Sequence, residues 1–144
     1  TYTNINLWHT PIYETRLLSW TPVYTNLTKG SATITAKHKI DPSYVWIDKD
    51  LIFAADTSIG GGVSFTLPFT SASVGQAHPI GLASLVDNGT GTIEGTFEYN
   101  TSTTSRIRAK TASGTYVAIT ALSSTVPFTW TTSDEISLSG KYVY

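Results

Sequence analysis

The feature that most constrains this chain is the spacing of its turns. Short runs rich in Thr, Ser, Val, Ile, Tyr and Phe are broken by Asp41-Pro42-Ser43, Gly60-Gly61-Gly62, Asp87-Asn88-Gly89 and Ser113-Gly114. Helical periodicity is hard to find, and no gap has room for the crossover helix that a parallel βαβ unit needs. The runs predict strands over 32–39, 44–53, 62–68, 80–87, 92–99, 104–110, 115–122, 126–130 and 135–144. Short strands at such spacing fold as an antiparallel β-sandwich or barrel. The triple glycine reads as a hairpin turn or loop, and no helix follows it that could cradle a phosphate.

Alternation assigns faces to these strands. Val45, Ile47, Leu51 and Phe53 share one side of the 44–53 run, while Trp46, Asp48 and Asp50 share the other. Lys49 falls on the apolar side, as expected of a strand leaving the core or of a subunit contact. Ile136, Leu138, Tyr142 and Tyr144 alternate with Glu135, Ser137, Ser139 and Lys141 in the last run. One face of the sheet is therefore expected to be buried, and the other wet or covered by a partner.

Residues 1–22 lack this alternation. They carry Trp8, His9, Pro11, Tyr13, Leu17, Leu18 and Trp20. The segment reads as an N-terminal arm that links the domain to something upstream or to a neighbouring copy, with residues 23–144 forming the sandwich. Trp8, Tyr13, Leu17 and Trp20 are its candidate contact residues. Leu17 and Leu18 suit a short helix or a turn.

Composition narrows the function. The chain has 144 residues, 40% hydrophobic and only 13% charged, which favours one packed domain over disorder. The net charge of −1 lacks the footprint of a nucleic-acid binder, and no apolar run approaches the length of a membrane helix. Arg106, Arg108 and Lys110 alternate on one strand face, which reads as a solvated charged stripe. Without cysteine there are no disulfides, thiolate metal sites or thiol nucleophile. His9, His38 and His78 have no metal-type spacing, and no Gly-x-Ser-x-Gly elbow is present. The same-face carboxylate pairs Asp48/Asp50 and Glu94/Glu98 are ordinary on wet sheet faces, so neither a catalytic residue, a metal nor a cofactor is expected.

Aromatic residues are the more informative group. Trp46 shares its polar face with Tyr44, Asp48 and Asp50. Rings beside carboxylates suit sugars, whose C–H faces stack on π faces while their hydroxyls hydrogen-bond. The same set suits a protein interface, or a face buried by a second layer. Tyr44, Trp46, Asp48 and Asp50 are the candidate ligand-binding residues.

Several stretches, taken in order, resemble β domains of bacteriophage virion proteins found in tail fibres, minor tail proteins and head fibres. They are Trp20-Thr21-Pro22-Val23-Tyr24-Thr25-Asn26-Leu27, Gly30–Lys37, Val45–Phe53, Thr57–Gly61, Val63-Ser64-Phe65-Thr66-Leu67-Pro68, Gly81-Leu82-Ala83, Val126-Pro127-Phe128-Thr129-Trp130 and Ser133–Ile136. The resemblance spans roughly residues 20–144. Two departures from the pattern are Lys49, where an apolar residue is usual, and the turn His38–Pro42. The resemblance implies an antiparallel sandwich with jelly-roll character, a homotrimer, and display on the virion with the arm holding other virion proteins. It further implies attachment to a host-surface glycan or protein, or decoration of the particle with no receptor role. A carbohydrate-binding module of a secreted enzyme is the alternative outside that family.

Overall fold

The computed structural model describes residues 16–72 and 75–144. Among them the chain is all-β and antiparallel. Its strands are β1 (Leu18–Ser19), β2 (Tyr24–Thr28), β3 (Thr33–Asp41), β4 (Tyr44–Ile52), β5 (Ser58–Thr66), β6 (Pro79–Asp87), β7 (Gly91–Tyr99), β8 (Thr104–Ser113), β9 (Tyr116–Ala121) and β10 (Glu135–Val143). They form one sheet in the order β1-β3-β4-β10-β6-β7-β8-β5-β2, with β9 added to β8.

This order dictates the shape. β2 and β3 are consecutive in the chain but lie seven strand steps apart in the sheet. In a flat sheet those steps would separate them by roughly 34 Å, whereas the link between Thr28 and Thr33 reaches at most about 17 Å. The sheet must therefore curl until its two ends meet, and it does so as a half-barrel. Residues 18–28 form the seam. β1 pairs with β3 and β2 pairs with β5, while Trp20 N–H donates to Ala36 O at 3.1 Å and its indole N–H to Thr66 O at 3.3 Å.

The hairpin turns follow local chemistry. Pro42-Ser43 closes β3 on β4, where Asp41 faces Tyr44. Gly89 (φ +84°) and Gly114 (φ +60°) supply the left-handed residues of the β6–β7 and β8–β9 turns. Inside the curl, Val45, Ile47, Leu51, Val63, Phe65, Leu85, Phe97, Ile107, Leu122, Ile136 and Tyr142 make one continuous core. Tyr142 spans it, its hydroxyl accepting from Phe69 N–H and donating to Phe69 O, both at 3.0 Å.

Four expectations change. Val126–Trp130 is not a strand: Val126 makes a single bridge to Ser123, and the segment folds Phe128 and Trp130 onto the core. Trp130 stacks on Phe53 with centroids 5.0 Å apart, and its indole N–H turns back to Ser123 O and Val126 O. Gly60-Gly61-Gly62 lies within β5, not in a turn. There it forms an irregularity opposite Asn26, and Gly62 N–H bonds Leu122 O at 2.8 Å. Leu18 belongs to a short strand rather than to a helix or turn. Lys49 sits in mid-strand and is 1% exposed, so it marks neither a strand exit nor a subunit contact.

Candidate functional site: the outer face of the sheet

The registers lay the outward side chains out in rows. On one row Lys39, Trp46 and Lys141 follow one another across β3, β4 and β10. On the next come Lys37, Asp48, Ser139, Leu82, Thr96 and Arg108. On the third come Thr35, Asp50, Ser137, Ser84 and Glu94. Strand β10 contributes its smallest outward residues, Ser137 and Ser139, between longer ones on β4, β6 and β7. The result is an open groove of about 380 Å³ lined by Asp48, Leu82, Ser84, Glu94, Ser137 and Ser139.

Of the four ligand residues expected from sequence, all lie on this face. Asp48 lines the groove, and Asp50 stands one row further on, outside it. Tyr44 and Trp46, 40% and 44% exposed, lie beyond the other end. Their rings are not bare: the Lys141 ammonium sits 4.9 Å from the Tyr44 centroid and 5.0 Å from that of Trp46. A cation held against two π faces steadies the ring planes.

The basic stripe of β8 is not part of the groove. Arg106 Nε donates to Glu98 Oε1 at 2.7 Å, with Arg108 at 3.6 Å from the same oxygen, and Lys110 pairs with Glu94. These pairs offset two of the three positive charges of the stripe, with the Glu98 carboxylate itself buried rather than solvated, and Lys110 orients the Glu94 carboxylate at the groove rim. Asp134, fully buried, works elsewhere. Its carboxylate accepts from Asn88 N–H and Thr131 N–H at 2.9 and 2.6 Å and joins the β6–β7 turn to the approach to β10.

Of the arm residues, Trp8 and Tyr13 lie outside the described residues. Leu17 is exposed. Trp20 is half-buried in the seam, edge-on to His38 with centroids 6.1 Å apart.

The groove offers hydroxyls, carboxylates and one apolar wall, with an indole at its end. That set hydrogen-bonds a polyhydroxylated ligand and stacks its C–H surface. Among the described residues no group of three or more His, Asp or Glu side chains is placed to hold a metal ion. No protein-family model, no curated protein and no solved structure matches this chain. Sequence reasoning missed Ser137, Ser139, Leu82 and Lys141 as site residues. Alternation places the β10 residues outward, but only the topology puts β10 between β4 and β6.

Proposed function

We propose that this chain is a non-enzymatic virion structural protein, a fibre domain displayed on a phage particle that attaches to a host-surface glycan or protein. In this reading the curled sheet is a β-sandwich of jelly-roll character, the domain is a homotrimer, and the N-terminal arm joins it to other virion proteins. The observation that carries the binding role is the groove along β10, which begins one row from Trp46 and is lined by Asp48, Glu94 and three serines. A hydroxyl-rich ligand in it would gain hydrogen bonds from the carboxylates and stacking from the indole. A shallow site of this kind binds weakly, and three copies on one fibre raise the avidity without new contacts.

The test is a glycan array probed with the domain on a multivalent bead. Retention of a defined set of glycans is expected. Trp46→Ala should weaken the best of them at least about fivefold, equivalent to ~1 kcal/mol of lost stacking, and Asp48→Ala should weaken it as well. No retention by the avid form would favour a decoration role without a receptor. Sedimentation at tens of micromolar tests the trimer, and a clean monomer would count against it.

A further inference from the structure

The interior of the curl contains an amine with neither a hydrogen-bond partner nor an ion pair among the described residues. Lys49 projects inward from the middle of β4, 1% exposed, and its ammonium has no hydrogen-bond partner. It lies 5.1 Å from the Tyr24 ring centroid and 4.8 Å from that of Phe65. Its in-register neighbours are Ala36 on β3 and Leu138 on β10. His38 stands diagonally across on the same inner face, because it pairs with Ile47. The His38 Nδ1 and the Tyr24 hydroxyl are also buried without partners. No carboxylate among the described residues pairs with Lys49. Along the strand Asp48 and Asp50 flank it and point to the outer face, and Asp50 only partly offsets the cost of burial.

These three orphan groups gather under the seam. β4 and β10 hold one another by a nine-residue ladder, so water reaches Lys49 through them only if the sheet comes apart. The roof is weaker. β1 pairs over two residues, and β2 over four with a shift of register between them. Residues 18–28 supply the Tyr24 ring over Lys49 and the Trp20 ring against His38, and Phe65 and Phe69 are the other rings packed on these two groups.

We propose that the seam strand β2, with β1, is a proton-operated latch: protonation of the groups beneath it favours an opened state in which residues 18–28 leave the sheet and the rest of the half-barrel persists. Burial holds the Lys49 ammonium down to about 7, and pushes His38 below its ordinary value in the same way. Both groups return to ordinary values once hydrated. The opened state therefore binds protons more tightly, and opening is favoured as pH falls. For Lys49 the window runs from its ordinary value of 10.5 down to about 7, and each pH unit in it changes the opening equilibrium by up to about tenfold. Tyr24 stays a neutral phenol throughout, because burial raises it.

The chain has no cysteine, so a single introduced thiol reports on one place. Leu27→Cys places it in β2 and Leu138→Cys in β10, both at buried positions. Labelling rates of the full chain at pH 7 and pH 9 are each divided by the rate of the unfolded chain at the same pH. At Leu27→Cys the normalised rate should be roughly 30- to 100-fold higher at pH 7 than at pH 9, and at either pH it should exceed the normalised rate at Leu138→Cys, which only global unfolding exposes, by at least about tenfold. In a Lys49→Met background the pH effect at Leu27→Cys should vanish. Equal normalised rates at the two positions would show global unfolding and overturn the latch, as would a pH effect that survives Lys49→Met. Should Lys49→Met fail to fold, the comparison of the two reporters decides by itself.

Discussion

Lys49 sets the pH dependence of the whole fold as well as of its seam. In the unfolded chain the amine titrates at its ordinary 10.5, and in the folded chain at about 7. Between those values the unfolded state binds more protons, so stability rises with pH through this window, and His38, which burial holds below its ordinary value, carries the loss on into more acid pH. The urea midpoint should increase from pH 7 to pH 9.5, reporting a gain of a few kcal/mol. Lys49→Met should be flat over that range and more stable than the parent at pH 7, because an apolar chain of similar volume replaces an unpaired buried charge. A midpoint lower than the parent's at pH 7 would mean that the aromatic rings stabilise the ammonium more than its desolvation opposes it. The strand alternation already turns Lys49 inward, just as it turns Trp46 outward. The sequence does not reveal what surrounds the ammonium, because Tyr24 and Phe65 reach it only after β2 and β5 close the curl. Their rings come from strands with no local relation to β4.

At the scale of elements, hairpins were legible and crossings were not. Asp87-Asn88-Gly89 and Ser113-Gly114 carry their turn chemistry in adjacent residues, and both are turns between paired strands. Val126–Trp130 has the composition of a strand, yet it lacks a neighbour to pair with, and its rings serve the core instead. The groove was half legible. Asp48 could be named, but Ser137, Ser139 and Leu82 join it only through the pairing of β10 with β4 and β6. That pairing depends on a close approach. Gly81 and Gly140 face one another, and the Phe97 ring fills the space above both. A Cβ on Gly81 would lie 2.3 Å from Ser139 O and 2.7 Å from the Phe97 ring. Gly81→Ala should therefore destabilise the chain by about 1–3 kcal/mol through overpacking. Gly61→Ala, with nothing within 4 Å of the added Cβ, should change stability by less than about 0.5 kcal/mol. Thermal melts of the two variants make the comparison. Equal effects would show that the β6–β10 contact yields at little cost.

The curl of the whole molecule solves one edge problem and leaves another. β1 and β2, the terminal strands of the sheet, are brought together where residues 18–28 cross between β3 and β5. β9 is different. Among the described residues it pairs only with β8, and Tyr116 and Val117 are 78% and 71% exposed, with Ile119 at 46%. The strand carries no charge, proline or bulge, the usual devices that stop an edge from recruiting another strand. One of its carbonyls, on Ile119, accepts from Arg108 Nη2 at 2.6 Å; the other outward groups remain for a partner. An edge of this kind should drive association between copies, so the parent chain is expected to gain mass with concentration in sedimentation velocity. Ile119→Lys puts a charge on the outer face of that edge at a position already half in water, so folding should survive with a loss of less than about 1 kcal/mol. The variant should lose that concentration-dependent gain of mass, because pairing two such strands would desolvate the new ammonium or set it beside its twin. If the variant associates as the parent does, the copies meet elsewhere, and the aromatic end of the outer face around Tyr44 and Trp46 becomes the surface to alter next.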